Sequence, residues 1–169
     1  MTAKAETMAK AEYVIEPGKQ EIIITRDFDA PRELVWRAYR DPALVKQWLG
    51  PRKYEMVIDT WDARDGGAYR YVHRDAGSEH GFHGVFHSMA MDNMVQTFEY
   101  EGAPGHVSLD TQVLIDLGGG RTRVKGHSTF MSVGDRDMMV ENGMGEGVED
   151  GYDRLDELLA TLQPMAAAR

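Results

Sequence analysis

The stretch STFMSVGDRDMMVENGMGEGVEDGYDRLDELL, residues 128–159, changes character twice along its length. It leaves a strand at Ser128–Phe130 and then sets Ser132 and Asp135 at capping-box spacing, with an aspartate where Glu or Gln is usual. From Met138 to Leu162 the spacing predicts one long helix, because Val148, Tyr152, Leu155, Leu159 and Leu162 form an apolar stripe of alternating four and three. The opposite face carries Glu149, Asp150, Asp153, Arg154, Asp156 and Glu157 and reads as solvated, with Asp150 and Arg154 able to pair at i,i+4.

Gly143, Gly145, Gly147 and Gly151 interrupt this helix. Each glycine costs about 0.8–1 kcal/mol relative to alanine in a helix interior, so something must offset roughly 3–4 kcal/mol. Gly143, Gly147 and Gly151 recur every four residues and leave a bare rail on one side. Such a rail either leaves room for a ligand between helix and sheet or lets the sheet backbone come close. GMGEG brushes against a dinucleotide fingerprint, but it follows no strand and lies inside the helix, so phosphate cradling is excluded.

Upstream of this stretch, β-branched and aromatic runs alternate with turn residues. YEMVIDTWD leads to RDGG, AYRYVHR to DAGS, HGFHGVFHSMA to MDN, and MVQTFEYE to GAPG. HVSLDTQVLIDL, in which Val107, Leu109, Thr111, Val113, Ile115 and Leu117 share one face, leads to GGG, and TRVKGHSTF closes the series. These six strands make an antiparallel meander, and EIIITRDFD before them makes a seventh.

Between the first strand and the meander lies FDAPRELVWRAYRDPALVKQWLGP, residues 28–51. Pro31 opens a helix of barely three turns, and Asp41 followed by Pro42 reads as the N-cap and first residue of a second, which Gly50 and Pro51 end. Together they form a bent helical brace between strands. The order of elements suggests an α+β fold in which a curved sheet wraps around the last helix.

The chain has 169 residues, about the size of one domain, and no internal repeat or linker. The expected organisation is a flexible leader over residues 1–20, a single domain over 21–163 and a tail over 164–169. Its net charge of −9 argues against nonspecific nucleic-acid or anionic-membrane binding. With no cysteine, disulfides, thiolate metal sites and a cysteine nucleophile are excluded. No signal-peptide pattern or membrane-length apolar run is found, so a cytoplasmic protein is expected.

Aromatic residues are the strongest chemical clue. Tyr69 and Tyr71 share a strand face, as do Phe82 and Phe86, and Phe98 and Tyr100. Eleven methionines accompany them, among them Met138, Met139 and Met144, whose flexible, polarizable side chains suit a wall that adapts to a guest. Taken singly these are ordinary core residues; combined with the glycine rail they outline a cavity.

Histidines offer less. His83 and His87 would be a metal pair on a helix, but four residues of strand span about 13 Å, and His80 and His83 point to opposite faces. No metal or cofactor is expected. His73 and His83 remain as general acid/base candidates. Nucleophilic catalysis has no G-x-S-x-G support, since Ser128 and Ser132 read as strand and cap residues.

In this order the segments ITRDFDAPRELVWRAYRDPALVKQWLGP, RDGGAYRY, FHGVF, TFEYEG and residues 128–159 resemble the family homologous to the activator of the heat-shock protein 90 ATPase, within the START-like (SRPBCC) helix-grip superfamily. The likeness runs from about Ile22 to Leu162. It departs from the common pattern at Met91–Met94, where a proline-rich turn is usual.

The resemblance implies a seven-stranded antiparallel sheet gripping the C-terminal helix, with a cavity between them whose one end the short helices close. Trp36 and Trp48 then read as core plugs and Tyr39 as a cavity rim. Ligand contacts are expected from Tyr39, Tyr69, Tyr71, Phe82, Phe86, Phe98, Tyr100, Met138, Met144, Gly147 and Gly151. Superfamily members bind lipids, hormones or polyketides, and a minority catalyse cyclisation or dehydration. The implied partner is therefore a small hydrophobic molecule, with a chaperone or a cyclase/dehydratase activity as rival readings. No catalytic residue carries over from the family, and the oligomeric state is open, a homodimer included.

Overall fold

The computed structural model describes residues 10–167. In chain order the elements are β1 (Glu12–Val14), β2 (Glu21–Phe28), α1 (Arg32–Arg40), α2 (Pro42–Val45), β3 (Glu55–Trp61), β4 (Ala68–Arg74), β5 (Glu79–Ala90), β6 (Asn93–Tyr100), β7 (Val107–Gly118), β8 (Arg121–Thr129), α3 (Val133–Glu141) and α4 (Met144–Ala167). All strands join one antiparallel sheet in the order β1-β2-β8-β7-β6-β5-β4-β3. The meander runs from β3 to β8, and β2 closes against β8 with Glu21 opposite Thr129 and Phe28 opposite Thr122. This is the helix-grip fold, α+β, with α4 packed on the inner face of the sheet.

Among the described residues the sheet has eight strands where the sequence predicts seven. β1 lies within the expected leader: Glu12 pairs with Thr25 and Val14 with Ile23. Tyr13 pins it to α4, its hydroxyl donating to the Gly145 carbonyl and to Glu149, each at 3.2 Å. Three residues are too few to show a period, which is why the segment reads as leader. At the other end α4 extends beyond the expected boundary at residue 163. Residues 1–9 of the expected leader and 168–169 of the expected tail lie outside the described residues.

The long C-terminal helix is two helices. α3 ends at Glu141 with Asn142 as its cap, and Gly143 follows with φ +84°, a left-handed conformation that only glycine adopts without strain and that stops a helix. Gly143 is thus a terminator rather than part of a rail inside a helix. The N-terminal cap is as read from the sequence, with Ser132 Oγ accepting from the Asp135 amide at 3.0 Å.

The brace forms as its prolines and cap suggest, with one shift. Pro31 is the N-cap of α1 and Arg32 its first residue, while Asp41 caps α2 by accepting from the Ala43 amide at 2.9 Å. Indole hydrogen bonds tie the brace down. Trp48 donates to the Ala38 carbonyl at 2.9 Å, Trp36 to that of Met89 at 3.1 Å and Trp61 to that of Arg40 at 3.1 Å. Trp48 is buried, but Trp36 is only half-buried beneath the Arg40 guanidinium, so it is a partly covered clamp rather than a core plug.

The core sits between the sheet and α4. Ile22, Ile24 and Phe28 of β2, Val124 of β8, and Tyr152, Leu155 and Leu159 of α4 are all buried. Arg26 joins them, its guanidinium over the Phe28 and Tyr152 rings and paired with Asp153 at 2.9 Å and Asp156 at 3.5 Å. The acidic face of α4 is therefore not a purely solvated one. Asp150 and Arg154 do not pair with each other: Arg154 donates to the Gly50 carbonyl at 3.0 Å, and Asp150 lies 3.6 Å from Arg52. Among the described residues no helix is long and apolar enough to cross a membrane.

Candidate functional site

Between the sheet and α4 lies a cavity of about 680 Å³. Its existence follows from what α4 presents to the sheet. After Met144, the first two turns of α4 show Gly147, Val148 and Gly151 rather than large side chains, and only from Tyr152 onward does its stripe pack tightly into the core. Both glycines border the cavity, but the close approach they permit comes from the brace rather than the sheet. A Cβ on Gly151 would lie 3.2 Å from the Trp48 carbonyl oxygen and 3.2 Å from the Gly50 nitrogen, and one on Gly147 would lie 3.6 Å from Pro51.

The sheet supplies an aromatic wall. Tyr69 and Tyr71 of β4 stack with centroids 6.2 Å apart, Phe86 lies 4.9 Å from Tyr69, and Phe82 lies 5.2 Å from Tyr71. Phe82 continues the wall to β6, at 5.4 Å from Phe98 and 5.2 Å from Tyr100. Strand pairing makes this wall: Phe82 stands opposite Tyr71 on one side and Tyr100 on the other, so alternate residues of three strands fall on one face. Tyr39 of α1 closes one end against Trp48 at 4.9 Å, and Met138 and Met144 border the other side from α3 and α4. Every residue expected from the sequence to touch a ligand thus borders this one cavity.

The two histidine candidates part company. His73 is buried on the cavity wall, its Nε2 3.2 Å from the Leu49 carbonyl and its ring parallel to Tyr54. Burial pushes its pKa down to about 4, so at neutral pH the ring is uncharged and its Nε2–H donates to Leu49. Gly50 makes this possible, because any Cβ there would strike the His73 ring. His83 faces away from the cavity, held between Glu101 at 3.0 Å and Glu99 at 3.3 Å on the outer face. The acid/base candidate His83 read from the sequence thus lies on the outer surface beside two glutamates and not in the cavity, since the period of the strand sends Phe82 inward and His83 outward. Among the described residues no group of three His, Asp or Glu is placed to hold a metal ion.

The sequence reading passes over a polar floor within the aromatic wall. On β7 the shared face of Leu109, Ile115 and Leu117 is the outer, exposed one, and Ser108, Asp110 and Gln112 turn into the cavity. Register decides this: Ser108 pairs with Phe98, Asp110 with Gln96 on one side and Ser128 on the other, and Gln112 with Gly126. Ser108 Oγ donates to Asp110 at 3.1 Å. Burial pushes the Asp110 carboxyl up to about 6, an effect that the Ser128 and Ser108 hydroxyls partly oppose and that no basic side chain relieves. Gly126 leaves space for the Gln112 side chain, whose buried Oε1 has no hydrogen-bond partner. Nearby, Gln96 donates to the Tyr69 hydroxyl at 3.2 Å, which donates to the Thr97 carbonyl at 2.6 Å. The available signal was the polar alternation Ser108, Asp110, Gln112, which becomes informative only once β7 is aligned with Phe98.

Comparison with known proteins places this geometry. Among curated proteins no sequence match is found. A protein from Rhodobacter sphaeroides of known crystal structure superposes with a TM-score of 0.81 at 25% identity, over 90% of this chain and 99% of that one. A protein from Arthrobacter aurescens solved in solution gives a TM-score of 0.81 at 26% identity, over 89% and 91%. CalU16 from Micromonospora echinospora shares the fold at a TM-score of 0.58 and 23% identity, over 93% and 88%. The family model described as Activator of Hsp90 ATPase homolog 1-like protein matches residues 29–160, which takes in the brace, the meander, the cavity wall and most of α4. The chain belongs to that family.

Proposed function

We propose that the protein binds a small, largely apolar or aromatic molecule in the cavity between the sheet and α4. The observation that supports this is the cavity itself, at about 680 Å³ within the range of small-molecule sites and far larger than the voids a packed core leaves. Its wall is mainly aromatic rings and methionine, which favours flat apolar guests. The fold is one associated with ligand binding, in keeping with this reading. Binding without catalysis is the simpler account, because His73 is committed to the Leu49 carbonyl and His83 faces outward.

Native mass spectrometry of protein purified from its own host tests the reading, together with titration by N-phenyl-1-naphthylamine, an uncharged aromatic fluorophore. The expected result is a retained small molecule or saturable uptake of one fluorophore per chain. A bare polypeptide mass combined with no saturable uptake would end the proposal. The family description also supports a chaperone-directed role. Recovery of a chaperone in a pull-down, with a changed ATPase rate, would favour that second reading.

A further inference from the structure

Among the described residues Asp110 has no cationic partner. Among the described residues, the cavity lining contains no lysine and no arginine, and the groups acting on the Asp110 carboxyl are two serine hydroxyls. A carboxylate shielded from water without a counter-ion is costly, and protein interiors normally pair it. The same floor holds the Gln112 Oε1, a buried acceptor without a donor among the described residues, two residues along β7 on the same face. Around them stand π faces: Tyr69 and Tyr71 are close enough to feel the Asp110 charge, and Phe98 flanks it diagonally across the β6–β7 pairing.

An anion and an orphaned acceptor set among aromatic faces are complementary to one kind of chemical group, a cation that also donates hydrogen bonds. Carboxylate oxygens accept its N–H groups, and the negative faces of the rings attract its charge. An anionic head would meet uncompensated repulsion from Asp110. A neutral hydroxyl would satisfy one acceptor and leave the charge unbalanced.

We infer that the natural guest is an aromatic or apolar amine, whose ammonium group sits on Asp110 and Gln112 while its apolar body lies along the wall formed by Tyr71, Phe82 and Phe98. This deepens the proposed function and rests on it, since it needs the cavity to be a binding site.

The test uses the full chain and three probes of one shape: 1-naphthylmethylamine, 1-naphthalenemethanol and 1-naphthoic acid, titrated at pH 7.5 by calorimetry. The expected order is amine first and acid last, with the amine favoured over the alcohol by about tenfold or more, as befits hydrogen bonds to a charged group. In Asp110→Asn, which keeps size and shape, the ratio of amine to alcohol affinity should fall to about one. A cooperative urea transition of the variant reports that it is folded. Alcohol or acid binding as tightly as amine to the unaltered protein overturns the inference, as does an amine preference that survives Asp110→Asn, and either result leaves the cavity-binding reading standing. Failure of all three probes to bind, with no uptake of N-phenyl-1-naphthylamine, overturns both.

Discussion

Gly151 of α4 lies against the backbone of Trp48, so close that a Cβ there would sit 3.2 Å from the Trp48 carbonyl oxygen. This contact, together with the Arg154 hydrogen bond to the Gly50 carbonyl, joins the brace to the helix and sets one end of the cavity.

Two alanine substitutions separate this close approach from helix propensity. Gly147→Ala meets only ordinary contact with Pro51 and should raise stability by roughly 0.5–1 kcal/mol. Gly151→Ala has the same propensity gain but presses on backbone that cannot swing aside, so it should fall at least about 1 kcal/mol below Gly147→Ala. Urea denaturation of the two variants decides it; equal stabilities would show that the approach of Trp48 is loose.

Gly143 separates α3 from α4 with φ +84°. Gly143→Ala should lower stability by about 1–2 kcal/mol, and Gly143→Asn by less, because asparagine tolerates the left-handed region better. Thermal melts of both variants check the order. If alanine were tolerated without loss, the break between the helices would not depend on that conformation.

Asp110 gives a pH-dependent prediction. Its folded pKa of about 6 lies above its ordinary 3.8, so the fold disfavours the ionised form. The penalty is fully present above about pH 6 and is relieved as the pH falls toward 3.8. Asp110→Asn removes it and should stabilise the unliganded protein by up to about 3 kcal/mol at pH 7.5, with the advantage shrinking toward pH 4. The neighbours facing the carboxyl are Tyr69 and Tyr71, whose own pKa values burial raises, and the uncharged Ser108, Gln96, Gln112 and Ser128. Denaturation curves of both proteins across this range provide the check. A difference that does not vary with pH would mean that Asp110 has the same pKa in the folded and unfolded chain, so that the fold exerts no penalty on its charge.

Arg26 is buried with two of its nitrogens lacking hydrogen-bond partners, and Asp153 is its nearer counter-ion. Asp153→Ala should cost about 2 kcal/mol, less than loss of a fully buried pair because Asp156 remains 3.5 Å away. Arg26→Met in the Asp153→Ala background should recover much of that loss, since a buried charge left without its partner is worse than an apolar side chain of similar length. A double-mutant cycle measures it, and additive costs would contradict the pairing.

Much of the wall is legible in the local sequence. Pairs such as Tyr69 and Tyr71, or Phe82 and Phe86, lie two or four residues apart within strands, so local geometry alone puts each pair on one face. The cap at Ser132 and the Asp41–Pro42 restart are likewise contained in a few adjacent residues. β1 was missed because Glu12–Val14 becomes a strand only by pairing with β2 and anchoring Tyr13 to Glu149, a residue far along the chain. The break at Gly143 was missed because a glycine spaced by four from Gly147 satisfies a helical period and a helix stop equally well.

Local chemistry in the chain therefore defines the elements, their order and which side chains travel together, since periods of two and 3.6 are properties of neighbouring residues. Which face of β7 looks inward is a different kind of fact. It depends on Ser108 standing opposite Phe98 and Asp110 opposite Gln96 and Ser128, partners brought together by sheet register. That long-range pairing turned a strand with an apolar stripe inside out, set an acid into an aromatic cavity and left it without a counter-ion, because a register shift of a single residue would have sent the same acid into water.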